Sequence, residues 1–464
     1  HWTGKTEAMD TSVDRKIEER PWHETLFSLE TWTRRALFVV AAIATGSIAL
    51  AFSLADRLST TFRAFLLKGE TLWGLELDPS VGTGIAMGLA VVGMWLAMTL
   101  RDRFFPGTQG TGIPQVMASL EVEADDPLRH RMLSWRIAVG KALLLMIGIY
   151  AGATIGREGP SVHVGACLIY LMAAWGHFPS WAVQRGLILA GGAAGIAAAF
   201  NAPIAGTVFA IEEIGRSFEK KNVGLIILGV AVACTACWVY LGDYVFYGKL
   251  NPSLSAPSQW LVIIPVAAIA GFLGGCFSRG VVAGTRWVNR TLRNHRVLVP
   301  LGLGAGLAGL GLASGGMSYG SGYDQALEVL QHETQMPFSY PFVKAAGNFI
   351  SLISGIPGGL FDPSFSVGAA MGQLAAPLFP GVDPRAVSMI AMTAYFTGVV
   401  RSPITAVVIL LEMTTARDMA MPLFISAAIA SESAKLISKT PIYEALAEIF
   451  LEDLKATPPD KTPA

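Results

Sequence analysis

The sequence predicts an all-α polytopic membrane protein, for three reasons. Hydrophobic residues make up 52% of the 464 residues and charged residues only 15%, whereas soluble domains carry about 25% charged residues. Apolar stretches at residues 36–55 and 81–100 have about the 20 residues that a helix needs to cross a bilayer. The 50 glycines and 25 prolines lie within such stretches, where membrane helices tolerate both if neighbouring groups satisfy the freed backbone.

The charge balance and the cysteines argue against several other functional classes. Lysine and arginine total 34, equal to aspartate and glutamate, so no basic bias attracts nucleic acid. All four cysteines lie in apolar runs, where Cys234 and Cys237 form a C-x-x-C. This pair fits small residues that pack inside a membrane helix better than a redox or zinc site. We therefore expect no metal and no cofactor.

The chain begins with a polar segment over residues 1–35. Trp22 and Trp32, among several basic residues, fit an amphipathic helix that lies at the membrane interface. The apolar run that starts near Ala36 lacks a small-residue cleavage site, so we expect a retained span and not a signal peptide. Basic residues before the first span and after the second satisfy the positive-inside rule and indicate a cytoplasmic N-terminus.

A membrane domain is expected over residues 36–453, followed by a polar tail at residues 454–464. After the spans Ala36–Ala55 and Val81–Leu100, the apolar sequence beyond Arg136 is cut repeatedly by glycine and proline. Lipid cannot hydrogen bond to a peptide group, so each break at membrane depth must be buried in protein or line an aqueous cavity. The breaks lie at residues 156–160, 201–203, 355–363 and 402–403.

The breaks occur in pairs. Residues 160–166 reappear as residues 363–369, with five of seven positions identical at a spacing of 203 residues. Residues 203–212 and 403–412 share Pro-Ile, a valine and a glutamate at a spacing of 200 residues. Duplicated halves with interrupted helices indicate a transporter whose site lies between the repeats. The two repeats are expected over about residues 36–216 and 223–438, with a terminal helix over about residues 440–453.

Three motifs stand where short helices are expected to begin. They are GTGIP at residues 110–114, GREGP at residues 156–160 and GGLFDP at residues 358–363, and Tyr443 follows the last span. Glycine lets N–H groups approach a ligand, proline suits the first helical turn, and helix N-termini attract anions. The motifs therefore predict an anion site of uncharged donors, which binds weakly enough to release its ion.

These motifs, in this order, resemble those of the CLC family of chloride channels and chloride/proton antiporters. The resemblance runs from about Trp32 to Leu451. It implies the CLC fold of about 18 tilted or broken helices in two inverted repeats, and a homodimer with one pore in each subunit. It also implies a transporter of chloride and protons, and not an enzyme, in the bacterial inner membrane with both termini in the cytoplasm.

The resemblance assigns roles to residues of the motifs. Thr111 and Tyr443 match the positions whose hydroxyl groups face the central anion, and Leu360 and Phe361 match those whose backbone N–H groups meet it. Glu158 matches the gating glutamate, which occupies an anion site when ionised and leaves it when protonated. Further matches to the anion-binding segments are Gly112, Ile113 and Gly159.

Three charged positions have alternative interpretations. An ionisable group inside a membrane is functional by default, but Glu158 could instead be a structural carboxylate paired with Arg157. Glu213 matches the inner proton glutamate that distinguishes exchangers from many channels of the family, whereas an ordinary surface cluster with Arg216 contributes little. Lys141 either adds positive potential near the pore or extends to the cytoplasmic interface.

Several residues differ from the family pattern. Thr111 replaces a serine, so the hydroxyl donor remains but selectivity or rate is expected to change. Asp362 replaces an apolar residue, and a carboxylate there opposes anions unless it is protonated, paired or turned away. Gln115 and Met117 stand where some antiporter relatives have acidic residues. His163 is expected to be hydrogen-bonded in the core.

Chloride/proton exchange is the function that the sequence favours, and a passive or weakly coupled chloride channel of the same fold is the alternative. A fluoride exporter is less favoured, because the methionine typical of that branch is absent at Thr111. An intramembrane enzyme is disfavoured too, since the sequence has no H-E-x-x-H motif.

Overall fold

The described part of the chain is helical. The computed structural model describes residues 29–122, 127–176, 181–215, 220–242, 244–331 and 334–456. Within these ranges the only β-structure is two isolated bridges, so the predicted all-α class is confirmed. Most of the predicted amphipathic segment, including Trp22, lies outside the described residues, as does the tail from residue 457.

The described residues form 18 α-helices, numbered α1 to α18 in chain order. The first nine are α1 Leu29–Lys68, α2 Pro79–Phe104, α3 Ile113–Glu121, α4 Leu128–Met132, α5 Trp135–Tyr150, α6 Glu158–Trp175, α7 Trp181–Phe200, α8 Pro203–Phe209 and α9 Lys220–Leu241. The others are α10 Ile263–Leu292, α11 Leu298–Ala313, α12 Tyr323–Gln331, α13 Tyr340–Ile353, α14 Phe361–Ala375, α15 Pro384–Val400, α16 Pro403–Thr414, α17 Ala420–Lys435 and α18 Ile442–Ala456.

The helices differ widely in length. Six helical stretches of the described chain are long and apolar enough to cross a membrane, and the predicted spans Ala36–Ala55 and Val81–Leu100 lie inside α1 and α2. At 40 residues, α1 is about 60 Å long, twice the thickness of the hydrocarbon core, so it must tilt or extend beyond the bilayer. In contrast α3, with nine residues, and α8, with seven, are too short to cross. They are the broken helices that the sequence predicts.

Small residues let neighbouring helices approach closely. A Cβ atom on Gly191 of α7 would lie 2.8 Å from the carbonyl carbon of Gly165 of α6, so a larger residue would push these helices apart. Cys234 and Cys237 are buried on α9, and Cys237 Sγ lies 3.3 Å from the carbonyl oxygen of Gly46. The predicted packing role of this C-x-x-C is confirmed.

Outside the spans, Asp78 caps the N-terminus of α2. Its Oδ1 accepts a hydrogen bond of 2.8 Å from the backbone N–H of Ser80, and Pro79 begins the helix. Proline suits this position because the first N–H of a helix has no partner inside it. The hydrogen bonds from the hydroxyl and N–H of Ser80 hold the pKa of Asp78 below its ordinary value.

The two repeats contact each other reciprocally at the short helices α8 and α16. Glu212, just after α8, accepts a hydrogen bond of 2.7 Å from the backbone N–H of Thr405 at the start of α16. Glu412, near the end of α16, accepts one of 2.6 Å from the N–H of Ala205 at the start of α8. Each carboxylate thereby satisfies an N–H group left free at a helix N-terminus. Such exchanged contacts are what a two-fold relation between the halves produces.

Candidate functional site

Each of the three motifs ends a loop and begins a helix, as the sequence predicts. Gly112 precedes α3 with φ of 95°, in the left-handed region that favours glycine. Arg157 precedes α6, which begins at Glu158, and Leu360 precedes α14, which begins at Phe361. The first N–H groups of these helices have no acceptor inside the helix, so they are available to an anion.

Backbone hydrogen bonds hold the three loops together. The N–H of Gly156 donates to the carbonyl of Gly359 at 2.8 Å, and the N–H of Gly359 donates back at 2.6 Å. The N–H of Gly110 donates to Gly355 at 3.0 Å, and that of Gly358 donates to Gly110 at 3.4 Å. The duplicated halves are therefore joined at the motifs themselves, and the starts of α6 and α14 lie side by side.

The carboxyl group of Glu158 lies against the glycines of this junction. It is fully buried, and neither carboxyl oxygen accepts a hydrogen bond from another described residue. A Cβ atom on Gly156 would lie only 2.6 Å from Glu158 Cδ, and one on Gly359 would overlap Oε2. Glycine at both positions leaves the space that the carboxyl group occupies.

Arg157 does not neutralise Glu158. Its Nη1 forms a buried salt bridge of 3.1 Å with Asp56 Oδ2 on α1, and its guanidinium carbon lies 5.6 Å from the ring centroid of Phe246. The salt bridge of Arg157 among the described residues is therefore with Asp56 and not with Glu158, so the alternative interpretation gains no support from the ion pairs. Arg157 still contributes a positive charge next to the carboxyl group.

Two hydroxyl groups near Glu158 lack partners. Thr111 Oγ1 and Tyr443 Oη are buried and form no hydrogen bond with another described residue, and a buried polar group without a partner requires an explanation. Thr111 packs on the first turn of α6, since a Cβ atom on Gly159 would lie 2.9 Å from the Cβ of Thr111. Tyr443 is close enough to interact with the carboxyl groups of both Glu158 and Glu213.

Phe361 packs as a core side chain. Its ring centroid lies 5.8 Å from that of Phe200, 5.7 Å from that of Phe209 and 4.7 Å from that of Phe396. Leu360 is also buried. These side chains fill space, while the backbone N–H groups of Leu360 and Phe361 lie at the start of α14. The N–H group of Ile113 lies in the same way at the start of α3.

Glu213 lies in a π-helical turn, Ala210–Ile214, that follows α8, and such turns are frequent at functional sites. It is 4% exposed, so it does not belong to a solvated surface cluster, and Arg216 lies outside the described residues. The carboxyl group accepts a hydrogen bond from the Ser402 hydroxyl, which precedes α16 in the other repeat.

Lys141 is fully buried and does not extend to the interface, so that alternative is wrong. Its Nζ donates to the carbonyl oxygens of Thr108 at 2.8 Å, Gln109 at 3.4 Å and Gly110 at 2.7 Å. Backbone carbonyl groups at membrane depth have no water to bond to, so they need such donors from the protein. Lys141 therefore supports the loop that carries Thr111.

Lys344 is a structural residue that sequence reasoning missed. It lies 203 residues after Lys141, the spacing of the repeated motifs, and that spacing could have revealed it. Its Nζ donates to four carbonyl oxygens of the loop at residues 317–320, at 2.9 to 3.4 Å. Gly320-Ser321-Gly322 then precedes α12 as Gly110-Thr111-Gly112 precedes α3. The same loop contains the spacing G-x-S-x-G at residues 316–320, but it follows a helix and not the strand that a hydrolase nucleophile requires.

His163 and Asp362 complete the surroundings. His163 is buried and its Nε2 lies 2.9 Å from the carbonyl oxygen of Met132, which confirms the predicted core role. A Cβ atom on Gly112 would lie 2.8 Å from His163 Nδ1, so the imidazole packs under the first motif. Asp362 is fully buried, and neither of its carboxyl oxygens accepts a hydrogen bond from another described residue.

Two cavities approach this site. One of about 710 Å³ is lined by Thr111, Leu360 and Arg101, among others. A smaller one of about 230 Å³ is lined by Arg157 and Asp56. Arg157 of the smaller cavity directly precedes Glu158, and Gly159, which directly follows it, contacts Thr111 of the larger cavity. A buried carboxyl group thus stands next in the chain to residues that reach both cavities.

Comparison with known proteins gives a consistent family and fold. The family described as "Voltage gated chloride channel" matches residues 87–435, more than half of the chain. A protein of Klebsiella pneumoniae (strain 342) named "H(+)/Cl(-) exchange transporter ClcA" is 28% identical over 390 residues, which cover 79% of this chain and 78% of the relative. A protein of the same name from Yersinia pestis bv. Antiqua (strain Angola) is 28% identical over 441 residues, covering 88% and 85%.

Solved structures share the architecture. A slow cyanobacterial Cl⁻/H⁺ antiporter superposes with a TM-score of 0.78 at 24% identity, covering 90% of this chain and 98% of that one. A CLC-type fluoride/proton antiporter gives 0.74 at 20% identity, covering 92% and 100%. At these identities the likeness concerns the fold, and it confirms the predicted architecture.

Proposed function

This chain belongs to the voltage-gated chloride channel (CLC) family, and we propose that it exchanges chloride for protons across a membrane. The names of the curated relatives support this proposal, because they describe exchange of these two ions. A multi-pass membrane protein with six apolar spans in its described part is a suitable host for such transport.

One observation supports the proposal most directly. The carboxyl group of Glu158 occupies a space bordered by Gly156 and Gly359, at the paired starts of α6 and α14. N–H groups and helix dipoles at helix starts stabilise negative charge. A chloride ion of similar charge can therefore replace the carboxylate there, and the two anions compete for one position.

Competition between the two anions provides coupling. When Glu158 is ionised it fills the position, and when it accepts a proton its neutral side chain no longer gains from the helix dipoles and can leave. Chloride access then requires proton uptake. The hydroxyl groups of Thr111 and Tyr443, and the backbone N–H groups of Leu360 and Phe361, would hold the ion without a full positive charge, which keeps release possible.

Glu213 is the proposed proton site on the other side of Tyr443. It is buried, it interacts with Tyr443, and the hydroxyl group of Ser402 donates to it. Buried ionisable groups in membrane proteins mark proton relays. Arg157 and Lys141 have supporting roles, since the first adds positive charge beside Glu158 and the second holds the loop of Thr111. Gly112, Ile113 and Gly159 contribute backbone to the same position.

The orientation and the assembly are also proposals. Arg101, Arg293 and Arg296 line the larger cavity, which supports a cytoplasmic location for that cavity and for the N-terminus. Residence in the bacterial inner membrane and a homodimer follow from the family resemblance. Light scattering of the purified protein in detergent tests the dimer, and a monomeric mass would contradict it.

Flux measurements on liposomes test the proposed exchange. In vesicles with an outward chloride gradient and no initial proton gradient, chloride leaves, and we expect protons to enter in exchange. The interior should therefore become acidic, with protons moving against the pH gradient that builds up. Glu158→Gln and Glu213→Gln should both abolish proton movement, and the second should still pass chloride. Glu212→Gln is the matched control, because this neighbour caps α16 and is expected to leave coupling intact.

The same assay separates the alternatives. Chloride flux without uphill proton movement in the wild-type protein would contradict exchange and indicate a passive or weakly coupled channel. Faster fluoride than chloride efflux, recorded with ion-selective electrodes, would indicate a fluoride exporter.

A further inference from the structure

Asp362 has no part in the exchange described so far, although its carboxyl group meets that of Glu158. Asp362 is the second residue of α14, and Glu158 is the first residue of α6. The hydrogen bonds between Gly156 and Gly359 bring these helix starts together. The two carboxyl groups lie close enough for one to hydrogen bond to the other when a proton is present. We call these two side chains the carboxyl pair.

The carboxyl pair is isolated from other hydrogen-bond donors. Both side chains are fully buried. Apart from the contact within the pair and the backbone N–H of Glu158 itself, none of their four oxygens accepts a hydrogen bond from another described residue. A buried carboxylate without donors is costly, and two adjacent ones repel each other as well. A proton shared within the pair supplies the missing donor and removes one of the two charges.

The surroundings do not supply enough positive charge for two carboxylates. Among the described residues, Arg157 is the cation that interacts with both members of the pair, and it is already engaged with Asp56 at 3.1 Å. The other titratable groups that face the pair from neighbouring elements are the carboxylate of Asp56, which adds negative charge, and the hydroxyl groups of Tyr247, Tyr323 and Tyr443. One negative charge on the pair is therefore the most that this environment supports well.

Resting on the exchange function above, we propose that Asp362 is a protonated hydrogen-bond donor of the anion site. Its O–H group donates to the Glu158 carboxylate when that group occupies the position. It donates to chloride when chloride replaces the carboxylate. A carboxyl group kept neutral by its surroundings can act as a donor in this way, so Asp362 adds a donor to those of Thr111 and Tyr443.

The proposal explains why an acidic residue is compatible with an anion site. An ionised Asp362 would repel chloride, whereas a neutral one attracts it, so the two states have opposite effects on chloride affinity. Removing an ionised carboxylate must tighten binding, and removing a neutral donor must weaken it. The sign of the change therefore distinguishes the two states.

Chloride binding in the Glu158→Gln background tests the proposal, because this change removes the competing carboxylate. Isothermal titration calorimetry at pH 5 would compare this protein with versions that also carry Asp362→Leu or Asp362→Asn. We expect Leu to weaken chloride binding about fivefold, the loss of one hydrogen bond. Asn keeps an N–H donor and should stay within about twofold. Asp418→Asn, an exposed aspartate outside the site, is the matched control and should change nothing.

Two outcomes overturn the proposal. Tighter chloride binding with Asn or Leu means that Asp362 is ionised, and unchanged binding with Leu means that it does not face the anion. If the leucine variant does not fold, the nearly isosteric asparagine variant still decides, because loss of a carboxylate charge would tighten binding at least tenfold. Failure of the exchange function is separate, since it appears as absent uphill proton movement in the wild-type protein.

Discussion

Replacing Gly156 by alanine should displace the Glu158 carboxyl group from its position. The new Cβ atom would lie 2.6 Å from Glu158 Cδ, which is 0.8 Å inside the 3.4 Å at which ordinary contact begins. The backbone of Gly156 is held by two hydrogen bonds to Gly359, of 2.8 and 2.6 Å, whereas the carboxyl group ends a flexible side chain. The carboxyl group should therefore move and the backbone should not.

The size of the effect follows from the overlap. Overpacking of a buried position costs about 1–3 kcal/mol, and a gate that relieves this cost by opening shifts its equilibrium about 5- to 150-fold. In the proposed exchange the ionised carboxylate fills the position at neutral pH, so under that condition we expect Gly156→Ala to raise chloride efflux from liposomes at least fivefold. The efflux should depend less on pH, and fewer protons should move per chloride.

Gly359→Ala is a parallel test, because its Cβ atom would overlap the same carboxyl group from the other repeat. Gly84→Ala on α2 is the control, since nothing lies within 4 Å of its added Cβ atom. Both site variants keep allowed backbone angles, because neither glycine has positive φ. If folded Gly156→Ala and Gly359→Ala proteins retained wild-type pH dependence and coupling, the carboxyl position would not be the gate.

Three further predictions concern the supporting structure. Thr111→Val removes a buried, unpartnered hydroxyl group at constant size and should weaken chloride binding about fivefold, or about 1 kcal/mol. Thr111→Ser keeps the hydroxyl group and should bind chloride as the wild type does, and calorimetry measures both affinities. Lys141→Met and Lys344→Met each leave several buried carbonyl groups without a donor, at about 1–3 kcal/mol per group, so both should lower the melting temperature. Only Lys141→Met should weaken chloride binding, and equal binding by the two variants would contradict the assigned role of Lys141. Glu212→Ala and Glu412→Ala each remove the carboxylate that caps a helix start in the other repeat, and each should lower the free energy of unfolding by about 1–2 kcal/mol. An unchanged melting temperature in either variant would show that its cap contributes nothing.

Much of the fold could be predicted from local sequence. Composition and apolar length indicate membrane spans because a helix is the form in which a lipid-exposed segment satisfies its own backbone. The glycine and proline motifs predict helix starts because proline suits the first turn and glycine permits the angles before it. The structure places these starts at Ile113, Glu158 and Phe361. The spacing of the motifs reveals the repeat because equivalent positions of two halves need the same residue types.

Part of the candidate site could be predicted in the same way. The sequence identifies Thr111, Glu158 and Tyr443 through their motifs, and the structure finds buried, unpartnered polar atoms on all three. Their roles in transport remain predictions for the flux and binding assays.

What the sequence by itself determined is the membrane class, the helix starts and the duplication, because each depends on residues near one another in the chain or on a recurring spacing. Only the tertiary structure decided which groups become partners. Arg157 bonds to Asp56, 101 residues away, and not to its neighbour Glu158, while Asp362 meets Glu158 from the other repeat. A buried charge takes whichever partner the packed helices bring within reach, and no local pattern contains that information.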